Sequence, residues 1–272
     1  MKKSLIPFLC ALSASVVNLL QADDNPPRNI AFPGEHPRHL QGIATDSSGN
    51  LFWSWTTRLV KTDPSGKILQ SVDTPSHYGD LTVVGNRVHV AVNLGVFNEE
   101  TGAESFVYTH DADTLALLSK TPVPELVHGA GGIAYADGRF YIIGGLPKTH
   151  KQNYVYEYTE DLKFVKRIVV ESGWTLLGVQ TICRGPDGEW WLGCYGKRQN
   201  GKSRPVALRC DKNFKFIARH DVDLAVGMAI SPNPDFAWVA QNITSRKDDR
   251  KSHAATLRLI PYKTLLETKL AN

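Results

Sequence analysis

Short apolar segments, each interrupted by a tight polar turn, recur along the chain. The segment "GAGGIAYADGRFYIIGG" (129–145) places an Asp-Gly pair between an apolar run and a second run of β-branched and aromatic residues. That arrangement is typical of two antiparallel strands joined by a tight turn. The pattern occurs five times, with apolar residues at the equivalent place in each copy: Ile43, Leu81, Ile133, Ile182 and Ile230. Successive copies are 38, 52, 49 and 48 residues apart, a spacing typical of propeller repeats.

A second hairpin pattern follows each of the first, for example "RLVKTDPSGKILQSV" in the first copy and "ATLRLIPYKTLLETKL" in the last. Each repeat therefore predicts a four-stranded antiparallel sheet. Five such sheets around one axis make an all-β, five-bladed β-propeller. The blades are expected near residues 38–75, 76–125, 126–174, 175–223 and 224–270. The segment "RNIAFPG" (28–34) either pairs with the last blade to close the ring or is the remnant of a sixth blade, which leaves a six-bladed alternative open.

The first residues, "MKKSLIPFLCALSASVVNLLQA" (1–22), have two lysines before an apolar run, as secretory signal peptides do. We expect a single propeller domain over 23–272, exported to the periplasm or outside the cell, monomeric and without a membrane anchor. Loss of Lys2 and Lys3 leaves 29 Lys and Arg against 27 Asp and Glu. A nearly neutral chain of this kind is not expected to bind nucleic acid.

Three cysteines follow Cys10 of the predicted signal peptide, namely Cys183, Cys194 and Cys210. The hairpin around Asn200-Gly201 is expected to bring Cys194 and Cys210 opposite each other on adjacent strands. Whether that pair is oxidised is left open, because cross-strand neighbours are slightly too far apart for a relaxed disulfide.

Long connections are predicted on one face of the ring. With strands A to D numbered outward from the axis, the A–B and C–D turns are short and the B–C connections are long. Binding residues often lie on such loops. The B–C loops of blades 3 to 5 contain only Asp248 and Asp249 as acidic residues, against ten basic ones: Lys148, Lys151, Lys197, Arg198, Lys202, Arg204, Arg246, Lys247, Arg250 and Lys251. A surface of one charge concentrates ligands of the opposite charge, so an acidic small molecule or polysaccharide is expected there, although a merely solvated basic rim is the alternative.

Histidines and glutamines recur just before the innermost strands. His39 and His77 each precede their apolar anchor by four residues and His128 precedes its anchor by five, while Gln41 and Gln180 share another position. Imidazole is the commonest metal ligand in proteins, and an amide oxygen can add a further ligand. The sequence thus predicts a divalent metal ion held by His39, His77, His128 and Gln180, with a structural role for each histidine as the alternative.

The form "GIATDSSGNLF" (42–52) resembles the blade motif of NHL-repeat and gluconolactonase-type propellers. This resemblance covers the blades and implies no particular site. The three histidines and the glutamine are similar, in residue type only, to the metal ligands of oligogalacturonate lyases. Gluconolactonase-type sites need acidic and asparagine ligands, and few are present beyond Asp80 and Asn93. A glycosidase with two carboxylates is disfavoured, because Asp80 is the one acidic residue at an inner-strand start.

These observations predict an exported propeller that binds a small, polar, acidic carbohydrate-derived ligand at the mouth of the central channel. The predicted ligand-binding residues are Gln41, Asn93, Lys148, Trp174, Gln180, Tyr195 and Arg198. If the protein is an enzyme, a metal-assisted lyase or hydrolase is expected, with Asp80 as the catalytic base. A non-catalytic propeller that binds a glycan or a protein is the alternative.

Overall fold

A computed structural model describes residues 29–196, 198–199, 202–247 and 250–270, with only the backbone given at 198, 199, 202, 203 and 247. The predicted signal peptide and Cys10 lie outside the described residues. Strand β1 (Asn29–Ala31) comes first in the chain. Blade 1 follows it with β2 (Leu40–Thr45), β3 (Leu51–Trp55), β4 (Arg58–Thr62) and β5 (Ile68–Asp73). Blade 2 consists of β6 (Tyr78–Val84), β7 (Arg87–Asn93), β8 (Ser105–Asp111) and β9 (Leu117–Pro122).

The remaining blades repeat this order. Blade 3 consists of β10 (Ala130–Ala136), β11 (Arg139–Gly144), β12 (Asn153–Thr159) and β13 (Phe164–Val170). Blade 4 consists of β14 (Thr181–Arg184), β15 (Trp190–Cys194), β18 (Val206–Cys210) and β19 (Phe216–His220), with a small hairpin of β16 (Arg198–Gln199) and β17 (Lys202–Ser203) in its long loop. Blade 5 contains β20 (Met228–Ile230), β21 (Phe236–Lys247) and β22 (Arg250–Pro261). Five antiparallel four-stranded sheets form, so the predicted five-bladed propeller is confirmed.

The turn chemistry of the sequence is visible in these hairpins. Asp137 and Gly138, which join β10 to β11, both have positive φ angles, of 51° and 73°. Positive φ at both central residues defines the type I′ turn that the Asp-Gly pair predicts. The apolar positions of the inner and middle strands pack between neighbouring blades, whereas the outermost strands β5 and β9 are largely exposed.

Blade 5 receives its outermost strand from the beginning of the described chain. Strand β1 pairs antiparallel with β22, with Ile30 opposite Leu257, so this segment closes the ring, and the described residues form no sixth blade. The prediction of a second hairpin at 255–270 is wrong, because β22 ends at Pro261 and a helix, α1 (Tyr262–Glu267), follows. Pro261 cannot donate a ladder hydrogen bond, and its φ of −58° suits the start of a helix. Among the described residues, no helix is long and apolar enough to cross a membrane.

The predicted facing of Cys194 and Cys210 is also wrong. Cys194 pairs with Val206, and Cys210 pairs with Trp190. Cys194 and Cys210 are buried free thiols, and Cys183 is a partly exposed free thiol. The pairs Trp190–Cys210 and Cys194–Val206 are centred on position 200, two positions earlier than a Cys194–Cys210 pair requires. The two cysteines are therefore separated by four residues along the strands.

The axis of the ring is filled by glycine backbone and one carboxyl group. Asp80 on β6 is buried between Gly42 of blade 1 and Gly132 of blade 3, and a Cβ atom on Gly42 would collide with Asp80 Oδ1. Asp80 Oδ2 accepts a hydrogen bond of 3.0 Å from the backbone N–H of Ile182 in blade 4. This carboxyl group thus bridges inner strands on opposite sides of the ring.

Candidate functional site

A cavity of about 220 Å³ lies where the inner strands begin, and we call it the mouth cavity. It is bordered by the B–C loops of blades 2, 3 and 4, through Phe97, Gly145 and Tyr195. Four of the residues singled out in the sequence for a site contribute to its wall in addition to Tyr195: His39, Gln41, His77 and Gln180. The long loops and the inner-strand starts therefore meet at one place, as the repeat alignment predicts.

The side chain of Gln41 connects the two histidines. Its Nε2 lies 2.9 Å from His39 Nε2 and 3.0 Å from His77 Nε2, with a further contact of 3.1 Å to Thr56 Oγ1. An amide nitrogen has two hydrogens, so it can donate to two of these three contacts at a time. The Nδ1 atom of His77 is buried and has no hydrogen-bond partner within the described residues. The wall of the mouth cavity therefore contains two imidazoles that one amide group links.

Burial keeps these imidazoles neutral. Desolvation lowers the pKa of His39 to about 4, assisted by His77, His253 and Arg38. Desolvation is also the main cause of the lowered pKa of His77, and the positive charge of Arg38 contributes. Arg38 is thus close enough to act on both rings. Neutral imidazoles beside a cation suit a ligand that brings negative charge or hydrogen-bond acceptors.

A second cavity of about 320 Å³ adjoins the first, and we call it the side cavity. The two share Phe97, Asn98 and Leu177 as common walls. Lys148 and Trp174, both predicted to bind ligand, line the side cavity rather than the mouth cavity. The indole N–H of Trp174 is buried without a partner within the described part of the chain. Each of the two adjoining cavities is therefore lined by a residue with a buried ring nitrogen that has no partner within the described residues.

His128 does not line either cavity and does not join His39 and His77. Its ring packs edge-on against His150, with centroids 4.7 Å apart, and one donor atom each of Glu100, His128 and His150 lies within 4.8 Å of the other two. These three residues are the one group in the described chain with the geometry to hold a metal ion. The structure thus divides the predicted quartet: His39, His77 and Gln180 border the mouth cavity, and His128 belongs to a separate cluster.

The remaining predicted site residues lie elsewhere. Asn93 is buried and holds the loop after β7, donating to the carbonyls of Gly95 and Val96 and accepting from the N–H of Glu104. Asp80 does not line either cavity, and burial raises the pKa of its carboxyl group well above the usual range. The side chain of Arg198 lies outside the described residues.

The charge of the basic loops is partly compensated. Arg204 forms an ion pair with Asp221, with 2.7 Å between Nη2 and Oδ2. Lys148 is the described member of the basic set that lines the side cavity. The side chains of Lys197, Arg198, Lys202 and Lys247 lie outside the described residues. The predicted attraction for acidic ligands is therefore supported most directly at Lys148.

Sequence reasoning missed Phe97, Glu100 and His150. Phe97 packs on His77, with ring centroids 5.1 Å apart, and separates the two cavities. Glu100 and His150 lie in the B–C loops of blades 2 and 3, in "NEET" and "KTHK", where no repeat alignment applies. Their one sequence signal was membership of the long loops on the functional face.

No family model matches the chain, and no curated protein matches it. Solved structures do match. A xylan β-1,4-xylosidase from Bacillus halodurans is 10% identical with a TM-score of 0.58, over 82% of this chain and 53% of that chain. A gluconolactonase from Xanthomonas campestris is 12% identical with a TM-score of 0.47, over 88% and 96%. The Pan2 WD40 domain of Neurospora crassa is 9% identical with a TM-score of 0.45, over 85% and 93%.

The five four-stranded sheets define the class of protein as a β-propeller. The similarity to the xylosidase, at 10% identity, is a similarity of fold alone, so the function has to be argued from the site.

Proposed function

We propose that the protein is an exported, monomeric β-propeller that binds a small, polar, acidic carbohydrate-derived ligand in the mouth and side cavities. The observation that carries the proposal is the pair of adjoining cavities, which places the hydrogen-bonding side chains of Gln41 and His77 and the indole of Trp174 around one space. A concave site with a few convergent polar groups and aromatic walls is typical of small-ligand binding. Export rests on the sequence of residues 1–22.

The chemistry of the walls supports an oxygen-rich anion. Gln41, His39 and His77 offer amide and imidazole groups for hydrogen bonds, and Trp174 adds an indole. Arg38 near the histidines adds positive charge, whereas in the side cavity Lys148 lies among Glu99 and Glu100. Phe97 and Trp174 offer aromatic faces, against which the apolar face of a sugar ring can pack. A uronic acid, with one carboxylate and several hydroxyl groups, combines these features.

The test is a thermal-shift screen of the mature protein against neutral and uronic-acid oligosaccharides, followed by calorimetry with the best uronic acid. A ligand at 100 times its dissociation constant should add about 2.7 kcal/mol to the free energy of unfolding. We expect His77→Ala and Trp174→Phe to weaken binding by at least about tenfold, since each removes a polar group and packing surface from a cavity wall.

His89→Ala serves as the matched control, because His89 lies outside both cavities and packs on Phe140. Its affinity should equal that of the unaltered protein. Absence of binding by every acidic oligosaccharide, or full affinity in both His77→Ala and Trp174→Phe, would overturn the proposal.

A metal-assisted lyase or hydrolase is the second candidate, favoured by the Glu100–His128–His150 cluster beside the side cavity. The predicted base, Asp80, is buried away from both cavities, so catalysis would need another base. Assay of product formation from the bound oligosaccharide, with and without added divalent metal, separates this candidate from a non-catalytic propeller that binds a glycan or a protein.

A further inference from the structure

We propose that Glu100, His128 and His150 form a site for a divalent transition-metal ion of the zinc type, with an open coordination position toward the side cavity. The three residues come from the B–C loops of blades 2 and 3 and from the segment before β10, so the site bridges two blades. The proposal concerns metal binding alone and stands or falls separately from the identity of the carbohydrate ligand.

His128 is already in the protonation state that a metal ligand needs. Its Nδ1 lies 2.9 Å from the backbone carbonyl of Glu99, and a carbonyl can only accept, so Nδ1 carries the proton. The Nε2 atom therefore has a free lone pair. Donation from the second ring nitrogen to a backbone carbonyl is the usual support of a metal-binding imidazole, because it fixes both the tautomer and the ring orientation. His128 is also buried, which restricts the ring further.

The other two ligands have supporting partners as well. His150 Nδ1 lies 3.0 Å from the hydroxyl of Tyr154, and its Nε2 lies 3.1 Å from Glu100 Oε2. Thr149 donates a hydrogen bond of 2.8 Å to Glu100 Oε1. With a metal ion on Nε2, the neutral imidazole of His150 would carry its single proton on Nδ1, where the hydroxyl oxygen of Tyr154 can accept the hydrogen bond.

The loop that carries Glu100 is held against the loop that carries His150. The N–H of Asn98 donates to the carbonyl of His128 at 3.1 Å, and Asn98 Oδ1 accepts from the N–H of Leu146 at 3.0 Å. The N–H of His150 closes its own turn on the carbonyl of Pro147 at 3.1 Å. The backbone that carries all three ligands is therefore fixed by hydrogen bonds across the two blades.

The donor set selects the metal. Two imidazole nitrogens and one carboxylate oxygen, with a fourth position for water, form a set found in catalytic zinc sites. Metal–ligand bonds of about 2.0–2.2 Å place tetrahedral donors about 3.3 Å apart. The donors here lie within 4.8 Å of one another, and His150 Nε2 and Glu100 Oε2 are already 3.1 Å apart, so the remaining adjustment concerns the distances to His128. Magnesium and calcium prefer sites composed of oxygen ligands and are not expected to bind tightly.

A metal ion bound to Glu100 would change the charge of the wall of the side cavity. Its carboxylate lies in the wall of the side cavity, close to Lys148 and Thr149. An unneutralised carboxylate there would repel an acidic ligand, whereas a bound dication would reverse the local charge. Metal binding is thus expected to convert this wall from anionic to cationic.

The experiment is calorimetric titration of Zn²⁺ into chelator-treated, full-length mature protein at neutral pH, with Co²⁺ as a spectroscopic probe. We expect one Zn²⁺ per chain with a dissociation constant of about 1 µM or tighter. Co²⁺ should give the visible absorption of a four-coordinate ion. His150→Ala and Glu100→Gln should each weaken Zn²⁺ binding by at least about 100-fold, and Tyr154→Phe by about 10-fold.

His253→Ala is the matched control, since that imidazole lies beside His39 and outside the cluster. It should bind Zn²⁺ with unchanged affinity. Because His128 is buried and its loss could disturb folding, the half-buried His150 and the exposed Glu100 provide the decisive variants. The proposal is overturned if the protein binds no Zn²⁺, if both decisive variants keep full affinity, or if Mg²⁺ competes at equal concentration.

Discussion

Asp80 is a carboxyl group placed where no water reaches it. Desolvation raises its pKa well above the usual range, and the hydrogen bonds from the N–H groups of Ile182 and Leu81 offset only part of that effect. Its contribution to stability is therefore fully present below the unfolded pKa of about 3.9 and is lost as pH rises toward the folded pKa. Asp80 thus acts as a structural bridge at the axis that is strongest in acid.

We predict that Asp80→Asn raises the free energy of unfolding at pH 7 by on the order of 1 kcal/mol. An asparagine keeps an oxygen for the N–H of Ile182 and removes the cost of a buried charge. The gain should disappear near pH 4. Urea unfolding of the unaltered protein and of Asp80→Asn at pH 7 and pH 4 measures the difference in the free energy of unfolding. Asp80→Ala is the comparison variant and should be destabilised at both, because it leaves the N–H of Ile182 without a partner.

Site residues were predictable where the repeat placed them in equivalent positions. His39 and His77 both precede their anchor by four residues, and the structure joins them through Gln41. His128 precedes its anchor by five. Since successive side chains of an extended segment point to opposite sides, a displacement of one residue turns the ring away from the mouth cavity and toward His150. The offset was visible in the sequence, but its consequence depended on loops that have no repeat.

At the level of single elements, strands were more predictable than their register. The hairpin pattern gave the inner strands β2 and β20 in the expected places, because apolar and β-branched runs flanked by turn residues have few alternatives. The register of β15 against β18 depends on where the turn of the long loop is centred. The helix α1 depends on Pro261 and on the contact of Tyr262 with Trp191. Neither is specified by alternation alone.

The register of β15 and β18 makes a prediction about the thiols. Cys194 and Cys210 are offset by four residues, so no disulfide should form between them. Burial also raises the pKa values of Cys183, Cys194 and Cys210 to about 12, which suppresses the reactive thiolate. The folded protein should react slowly with a thiol reagent, and three free thiols at these positions should appear on unfolding without reductant. A disulfide-linked peptide containing Cys194 and Cys210 in the mass spectrum would contradict this register.

At the scale of the whole molecule, buried histidines should make the protein sensitive to mild acid. Desolvation is the main cause of lowered pKa values at seven histidines: His36, His39, His77, His89, His110, His220 and His253. Three of them, His36, His39 and His89, are lowered to about 4. The unfolded chain takes up protons near pH 6.5 while the folded chain does not. The stabilisation that comes from keeping these histidines neutral is therefore present above pH 6.5 and is lost as pH falls toward 4.

We predict a steep fall of the melting temperature between pH 6.5 and 4. Each histidine with a folded pKa of about 4 contributes up to about 1.4 kcal/mol per pH unit in that window. Asp80 and Asp223, whose pKa values burial raises, act in the opposite direction but are outnumbered. Calorimetric scans at intervals of half a pH unit measure the slope. His89→Phe should reduce the slope by the contribution of one histidine. A melting temperature that stays unchanged from pH 6.5 to 4 would contradict this prediction.

Closure of the ring makes β1 important for the stability of the whole propeller. Ile30 is 2% exposed and packs in a cluster with Trp53 and Leu257, while Asn29 beside it is exposed. Ile30→Ala should lower the free energy of unfolding by about 2–5 kcal/mol, as expected for a buried isoleucine. Asn29→Ala on the same strand should change it by less than about 0.5 kcal/mol. Urea unfolding of the two variants tests this, and equal effects would show that β1 is not the closing strand.

The pairing of β1 with β22 also determines the order in which the blades can form. Ile30 emerges from the ribosome early and its partner Leu257 is 227 residues further on, so at roughly 5–20 residues per second the first strand waits about 10–45 s for its place. Blades 1 to 4 contain all four of their own strands and can form during that interval. The fifth cannot be completed until both ends of its sheet have been made. Until then the nascent chain carries an unpaired strand at one end and an open sheet edge at the other, which neighbouring chains or a chaperone can occupy.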